Sequence, residues 1–125
     1  MFEMSADNFE LYKTKIALVD NVTQNLISNG VQWPPQSPIA TMSLSDAAQR
    51  NWIALMVVSG YLTYPFPITT QDDVEYSFSS AEELQQFCMY CMQVVNGHIA
   101  SGRALKINMN NAATQEELDL IVDNR

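Results

Sequence analysis

Residues 79–105 read SSAEELQQFCMYCMQVVNGHIASGRAL and predict the longest helix of the chain. Two overlapping capping boxes begin this helix, Ser79 with Glu82 and Ser80 with Glu83. In each box the serine hydroxyl accepts from a free amide and the glutamate reaches back toward the serine. Apolar positions then recur every three or four residues, which is the spacing of one helical face. This face comprises Leu84, Phe87, Cys88, Cys91, Val94, Val95, His98, Gly102 and Leu105.

The long helix is expected to run to about Met109, with a bend near Gly97, because each internal glycine costs about 1 kcal/mol relative to alanine. Thr114 with Glu117 forms another capping box, which predicts a short closing helix.

An amphipathic helix is also predicted near the start of the chain, from Asn8 to Ser28. Asp7 or Asn8 can accept from its first amides, and Asn29-Gly30 supplies a residue that can take the left-handed conformation closing it. Thr23 fills a gap in its apolar stripe, whose other members are Phe9, Tyr12, Ile16, Val19, Leu26 and Ile27.

A short, irregular hairpin follows the first helix. Three prolines between Val31 and Leu44 forbid a helix there, and the alternation of Ile39–Leu44 favours a strand with Val31–Trp33 as its mate. Ser45 then caps a second helix, and Asp46 complements its dipole. The buried face of this helix is predicted to comprise Trp52, Leu55, Met56 and Ser59.

Gly60 is predicted to end the second helix and to introduce a second hairpin. Tyr61–Thr70 carries prolines, which belong at a sheet edge. Strict alternation in its mate places Val74, Tyr76 and Phe78 on one face. The order of elements is therefore α-ββ-α-ββ-α-α, and the fold class is α+β.

Composition predicts one folded domain spanning residues 1–125. Hydrophobic residues make up 47% of the chain and charged residues 16%, which is too apolar for a disordered protein. Fourteen acidic against six basic residues give a net charge of -8. This charge opposes binding to phosphate, so we expect neither nucleic acid nor an anionic membrane as a partner. An acidic surface suits a basic patch on another protein, although it also serves solubility alone.

The start of the chain, Met1–Asp7, lacks the basic and apolar regions of a signal peptide, and no apolar run is long enough to span a bilayer. We therefore expect a protein made and used in a cytoplasm, or built into a particle there. Its two cysteines are expected to be reduced thiols.

Candidate chemistry is weak. Cys88 and Cys91 form a C-x-x-C motif, but they lie inside a helix rather than at its N-terminus, so we interpret them as core residues. His98 is two turns from Cys91, about 10 Å away, and is read as a partly buried structural histidine. Asp72, Asp73 and Glu75 could chelate a hard cation, yet their spacing matches no complete calcium loop. We expect no catalytic residue, no metal and no cofactor.

Partner binding is the function that the residues favour. Tyr64 and Phe66 lie on one face of the proline-bearing strand, so they are exposed together or buried together. If exposed, they form an aromatic docking surface, and if buried, they belong to the core. An acidic helix face around Glu82, Glu83 and Glu117 is the second candidate surface, although these glutamates also have an explanation as helix caps.

A resemblance covers about residues 30–121 and rests on four short motifs in a fixed order. They are SDAAQR at 45–50, YPFPITTQDD at 64–73, SAEEL at 80–84 and LKINMNNAATQEEL at 105–118. These motifs resemble DUF4376, a small phage and prophage domain of unassigned function found near and within tail and tail-fibre proteins. The resemblance implies a phage setting and carries over no catalytic residue.

The resemblance predicts a non-enzymatic tail or tail-fibre accessory protein: an assembly chaperone, an adaptor or a minor virion component. Its partner would be a phage tail or tail-fibre protein, or a second copy of the chain. It would act in the host cytoplasm during assembly or remain in the virion tail. The alternative is a small acidic phage protein that binds and inhibits a host or immune factor by mimicking the charge of nucleic acid.

Overall fold

The structure, a computed structural model, describes residues 6–125, with side chains from Phe9 onward. The predicted α+β class and the predicted order of elements are both confirmed. Residues 1–5, on which much of the prediction about a signal peptide rests, lie outside the described residues.

Four α-helices and two antiparallel hairpins make up the described chain. The helices are α1 (Ala6–Ser28), α2 (Asp46–Val58), α3 (Ala81–Asn110) and α4 (Gln115–Leu120). The strands are β1 (Val31–Trp33), β2 (Ala40–Met42), β3 (Phe66–Thr69) and β4 (Glu75–Phe78). Val31 lies opposite Met42 in the first hairpin, and Phe66 lies opposite Phe78 in the second.

Three predicted helix caps are confirmed. The hydroxyl oxygens of Ser45, Ser80 and Thr114 each accept from a backbone amide three residues later, all at 3.1 Å. Each bond satisfies one of the amides that a helix start leaves without an intrahelical partner. The local sequence therefore fixes where α2, α3 and α4 begin.

Three local predictions are wrong. Asp7 and Asn8 lie within α1 rather than capping it, because the helix already includes Ala6. The α2 helix ends at Val58, and Gly60 lies in a 3-10 turn at Ser59–Tyr61, since the chain tightens there. Val74 precedes β4 and is 45% exposed, so it does not share the buried face of Tyr76 and Phe78. The α3 helix is continuous through Gly97, and a bend there stays a prediction.

Backbone contacts divide the chain into two compact units, and the prediction of a single domain stays a prediction. We call Ile27–Asn96 the central unit, and Met1–Leu26 with Gly97–Arg125 the terminal unit. The central unit contains both hairpins, α2 and the first half of α3. The terminal unit contains most of α1, the second half of α3 and α4.

Aromatic side chains fill the core of the central unit. The ring of Phe87 lies 5.2 Å from that of Trp33, 5.0 Å from that of Trp52 and 5.1 Å from that of Phe78. Edge-to-face contacts of this kind add to the free energy gained by burying large apolar area. Gly30 follows the end of α1 at φ 72°, where a Cβ would lie 2.4 Å from the carbonyl oxygen of Met42.

The core of the terminal unit is smaller and partly polar. From Phe9 onward, its buried apolar residues are Val19, Met109, Ala112 and Leu118. Beside them the guanidinium of Arg125 donates to the carbonyl oxygens of Val19 and His98, to Ser101 Oγ and to Asp123.

Gly102 permits a close approach within the terminal unit. A Cβ at this position would lie 2.6 Å from Thr23 Oγ1 and 3.0 Å from Arg125 Nη1. The hydroxyl of buried Thr23 donates to the carbonyl of Val19 at 3.0 Å. A side chain on Gly102 would therefore displace a hydrogen-bonded group rather than fill open space.

Candidate partner-binding surface

Tyr64 and Phe66 share one face of the second hairpin, and both are half-buried against the central core. Pro65 and Pro67 are exposed on the other side. The shared placement that alternation predicts is thus observed, at a burial between its two extremes. Tyr64 Oη donates to the Ser59 carbonyl at 2.6 Å, and partial burial raises the pKa of Tyr64. A partner-binding role for either ring stays a prediction.

The three glutamates of the predicted acidic surface lie in different surroundings. Glu82 is exposed at the start of α3, whereas Glu83 beside it is half-buried. Glu117 belongs to the terminal unit, where its carboxylate accepts from the amide of Ala113 at 2.6 Å. The explanation of Glu83 and Glu117 as caps is therefore confirmed, and Glu82 and Glu117 are the two that are exposed.

Glu83 connects the second hairpin to the start of α3. Its carboxylate accepts from Tyr76 Oη at 2.6 Å, from the amide of Ser79 at 2.8 Å and from Ser79 Oγ at 3.2 Å. Burial acts to raise the pKa of Glu83, but these hydrogen bonds oppose it and the net shift is downward. Burial and the carboxylate together raise the pKa of Tyr76 to about 12.

Cys88 and Cys91 are free thiols in the central core, 0% and 1% exposed. Burial raises the pKa of Cys88 to about 11, and burial followed by the nearby charge of Cys88 raises that of Cys91 to about 12. Since the thiolate is the reactive form, both thiols are poor nucleophiles at neutral pH. The interpretation of the C-x-x-C motif as core is confirmed.

His98 and Asp72, the other residues considered for chemistry, form hydrogen bonds within the protein. His98 is half-buried, as predicted, and its carbonyl accepts from Arg125. Asp72 accepts from Thr70 Oγ1 at 2.5 Å and from the amide of Thr41, and the bond from Thr70 lowers its pKa. Asp72 therefore ties the turn of the second hairpin to β2.

A surface that the sequence interpretation did not single out lies between α2 and α3 of the central unit. Two large apolar side chains that line it are exposed, Ile53 by 51% and Met92 by 37%. Val57 and Met89, which follow Ile53 on α2 and precede Met92 on α3, are exposed by 76% and 48%. Ile53 and Val57 are one turn apart on α2, and Met89 and Met92 are one turn apart on α3, so each pair forms a ridge. We call this surface the α2/α3 groove.

The floor of the α2/α3 groove is formed by Trp52, Cys91 and Val95, and Gln49 and Asn96 close one end. The groove has a volume of about 180 Å³. Ser59 and Gln85 form a hydrogen bond of 2.8 Å farther along, which shows that the two helices run antiparallel. A signal for this surface was present in the sequence, since Trp52–Val58 reads WIALMVV and is apolar on more than one helical face.

Within residues 6–125, no group of three His, Cys, Asp or Glu side chains is placed to hold a metal ion. Over the same residues, no helix combines the length and the apolar character needed to cross a membrane. No protein-family model matches the chain, and no match was found among curated proteins or solved structures.

Proposed function

We propose that this chain is a non-enzymatic phage tail or tail-fibre accessory protein that acts by binding another protein. The observation that carries the binding role is the α2/α3 groove, which is lined by exposed apolar side chains from both helices, Ile53 and Met92. Clustered exposed apolar residues are typical of surfaces that another protein covers. The phage setting is supported by the motifs that resemble a tail-associated domain, and these motifs include the starts of α2 and α3.

The acidic surface supports the same kind of activity. With a net charge of -8, the chain attracts a basic protein surface and repels nucleic acid and anionic lipid. An accessory role in assembly requires recognition of a partner and no chemical step. The same surface charge also favours the second candidate, a phage protein that binds and inhibits a host or immune factor.

Affinity capture from infected cells separates the two candidates. For this experiment the chain is expressed with an added N-terminal tag during phage infection. The captured proteins are compared with those from a culture that expresses the untagged chain. Enrichment of a tail or tail-fibre subunit supports the accessory role. Enrichment of a host enzyme or immune factor without any tail subunit contradicts it and favours inhibition.

A further inference from the structure

We infer that the α2/α3 groove binds an amphipathic helix of a partner protein, one whose apolar face is flanked by lysine or arginine. This inference rests on the proposed role in protein binding and specifies the site and the class of partner.

The shape and side chains of the groove favour a helix over a small molecule. Two antiparallel helices with apolar ridges form a shallow channel, the kind of surface into which an amphipathic helix inserts its apolar side chains. The volume of about 180 Å³ is below the range of about 300 to 1,000 Å³ typical of small-molecule pockets. Met89 and Met92 on one ridge have flexible, polarisable side chains that adapt to different apolar partners.

The charge of the central unit specifies the flanks of that helix. Residues 27–96 contain one basic residue, Arg50, against six acidic ones: Asp46, Asp72, Asp73, Glu75, Glu82 and Glu83. Asp46 precedes Ile53 by seven residues and Glu82 precedes Met89 by seven, so each carboxylate continues one apolar ridge after two turns, about 10 Å along the axis. Because the two helices are antiparallel, the carboxylates lie toward opposite ends of the groove. Arg50 lies between Asp46 and Val57 on the α2 ridge and offsets Asp46, whereas Glu82 has no basic residue on its ridge and attracts a cation.

The same charges disfavour two other occupants. A second copy of the chain would present a central unit with the same excess of carboxylates, and like charges brought together oppose association. An anionic lipid surface would be repelled for the same reason. A basic amphipathic helix is the occupant that satisfies both the apolar ridges and the carboxylates.

Binding is tested on the full chain with a fluorescent synthetic peptide of about five helical turns. Leucine occupies one helical face and lysine the remaining positions. One control peptide has glutamate in place of every lysine, and another has the original composition in scrambled order. Fluorescence anisotropy measures the Kd of each. We expect the lysine peptide to bind at least about tenfold more tightly than either control.

Variants locate the binding site. Ile53→Ser and Met92→Ser should each weaken binding of the lysine peptide about tenfold or more, because both side chains line the groove and are exposed. Ile39→Ser and Val74→Ser are matched controls, because these side chains are 65% and 45% exposed in the central unit outside the residues that form the groove. The double variant Asp46→Asn with Glu82→Gln should weaken binding of the lysine peptide and should not weaken binding of the glutamate peptide. Thermal unfolding verifies that each variant is folded.

Several outcomes would overturn the inference. They are failure of the lysine peptide to bind, equal binding of the glutamate or scrambled peptide, and equal loss in the groove and control variants. Sedimentation that shows a dimer in the wild type and a monomer in Ile53→Ser would assign the groove to a second copy instead.

The peptide experiment tests the groove and the capture experiment tests the tail role, so a negative result in one does not imply a negative result in the other. If a tail subunit is captured equally by wild type and Met92→Ser while the peptide does not bind, the groove is wrong and the proposed function stands. If the peptide binds through the groove but a host protein is captured in place of a tail subunit, the tail role is wrong and the groove stands.

Discussion

In the central unit, Phe87 contacts three other aromatic rings and has no exposed surface, whereas in the terminal unit Gly102 leaves no room for a side chain beside Thr23 and Arg125. The central core gains free energy mainly by burying large apolar area. Among the residues whose side chains are described, the terminal core has four buried apolar members and adds the hydrogen bonds of Arg125. The central core and the terminal core should therefore tolerate different substitutions.

The difference shows that a small core can be stabilised by other interactions than those that stabilise a large one. Where few large side chains are available, close backbone approach and charge-assisted hydrogen bonds to carbonyl oxygens can supply stability. Each of the following predictions changes one of these contacts and keeps a matched control.

Removing the central ring should have the largest effect. Phe87→Ala is expected to lower the free energy of unfolding by about 3 to 5 kcal/mol, because the cavity would lie among three aromatic neighbours. Phe9→Ala is the control, since Phe9 is 47% exposed in the terminal unit, and it should cost under about 1 kcal/mol. Denaturant unfolding measures both. Equal losses would show that the rings around Phe87 are not the main source of stability.

Arg125→Ala should lower the free energy of unfolding by about 2 to 3 kcal/mol. It removes charge-assisted hydrogen bonds to two backbone carbonyls and leaves Asp123, whose side chain is 9% exposed, without its ion-pair partner at 2.7 Å. Exposed Arg103 serves as the control, and Arg103→Ala should change stability by under about 0.5 kcal/mol. If both variants melt alike, Arg125 is not the stabilising contact.

Two glycines in α3 should respond to alanine in opposite directions. Gly102→Ala is expected to cost about 1 to 2 kcal/mol, because its Cβ would meet Thr23 Oγ1 at 2.6 Å. Gly97→Ala has open space around the new Cβ and should gain about 0.5 to 1 kcal/mol from helix propensity. Paired thermal melts provide the measurement. A gain at both positions would mean that the close approach at Gly102 is unimportant.

Glu83→Gln should cost about 1 kcal/mol at neutral pH, the usual value of a capping interaction. The folded pKa of Glu83 is lowered, so its hydrogen bonds contribute stability above the unfolded pKa of about 4.3 and lose it as pH falls through the folded value. The difference between wild type and variant should therefore shrink from pH 7 to pH 3. Glu82→Gln, at the exposed neighbour, should show little dependence of this kind, and equal pH profiles would contradict the role of Glu83.

Local rules predicted much of the fold. Short sequence motifs predicted the caps at Ser45, Ser80 and Thr114, and alternation predicted that Tyr76 and Phe78 share a buried face. Local rules failed where a boundary depends on its surroundings. Glu83, for example, accepts from the amide of Ser79 rather than from that of Ser80, and its carboxylate also accepts from Tyr76 on the hairpin, a long-range contact that no local motif predicts.

The candidate site was harder to predict than the fold. Tyr64 and Phe66 were correctly placed on one face, but their half-buried state depends on the core against which they pack. The α2/α3 groove joins residues about forty positions apart in the sequence, and periodicity within one helix does not show which apolar face its neighbours leave open. The contact of Gly102 with Thr23 is likewise long-range, and no local pattern marks it.

The two thiols give this protein a built-in reporter of local opening. Cys88 and Cys91 are the chain's only cysteines, and both lie in the central core with raised pKa values. A thiol reagent should therefore modify them at a rate set by how often that core opens. Labelling rates in Gly102→Ala and Phe87→Ala would then measure directly whether loosening the terminal unit exposes the central one, or whether the two open independently.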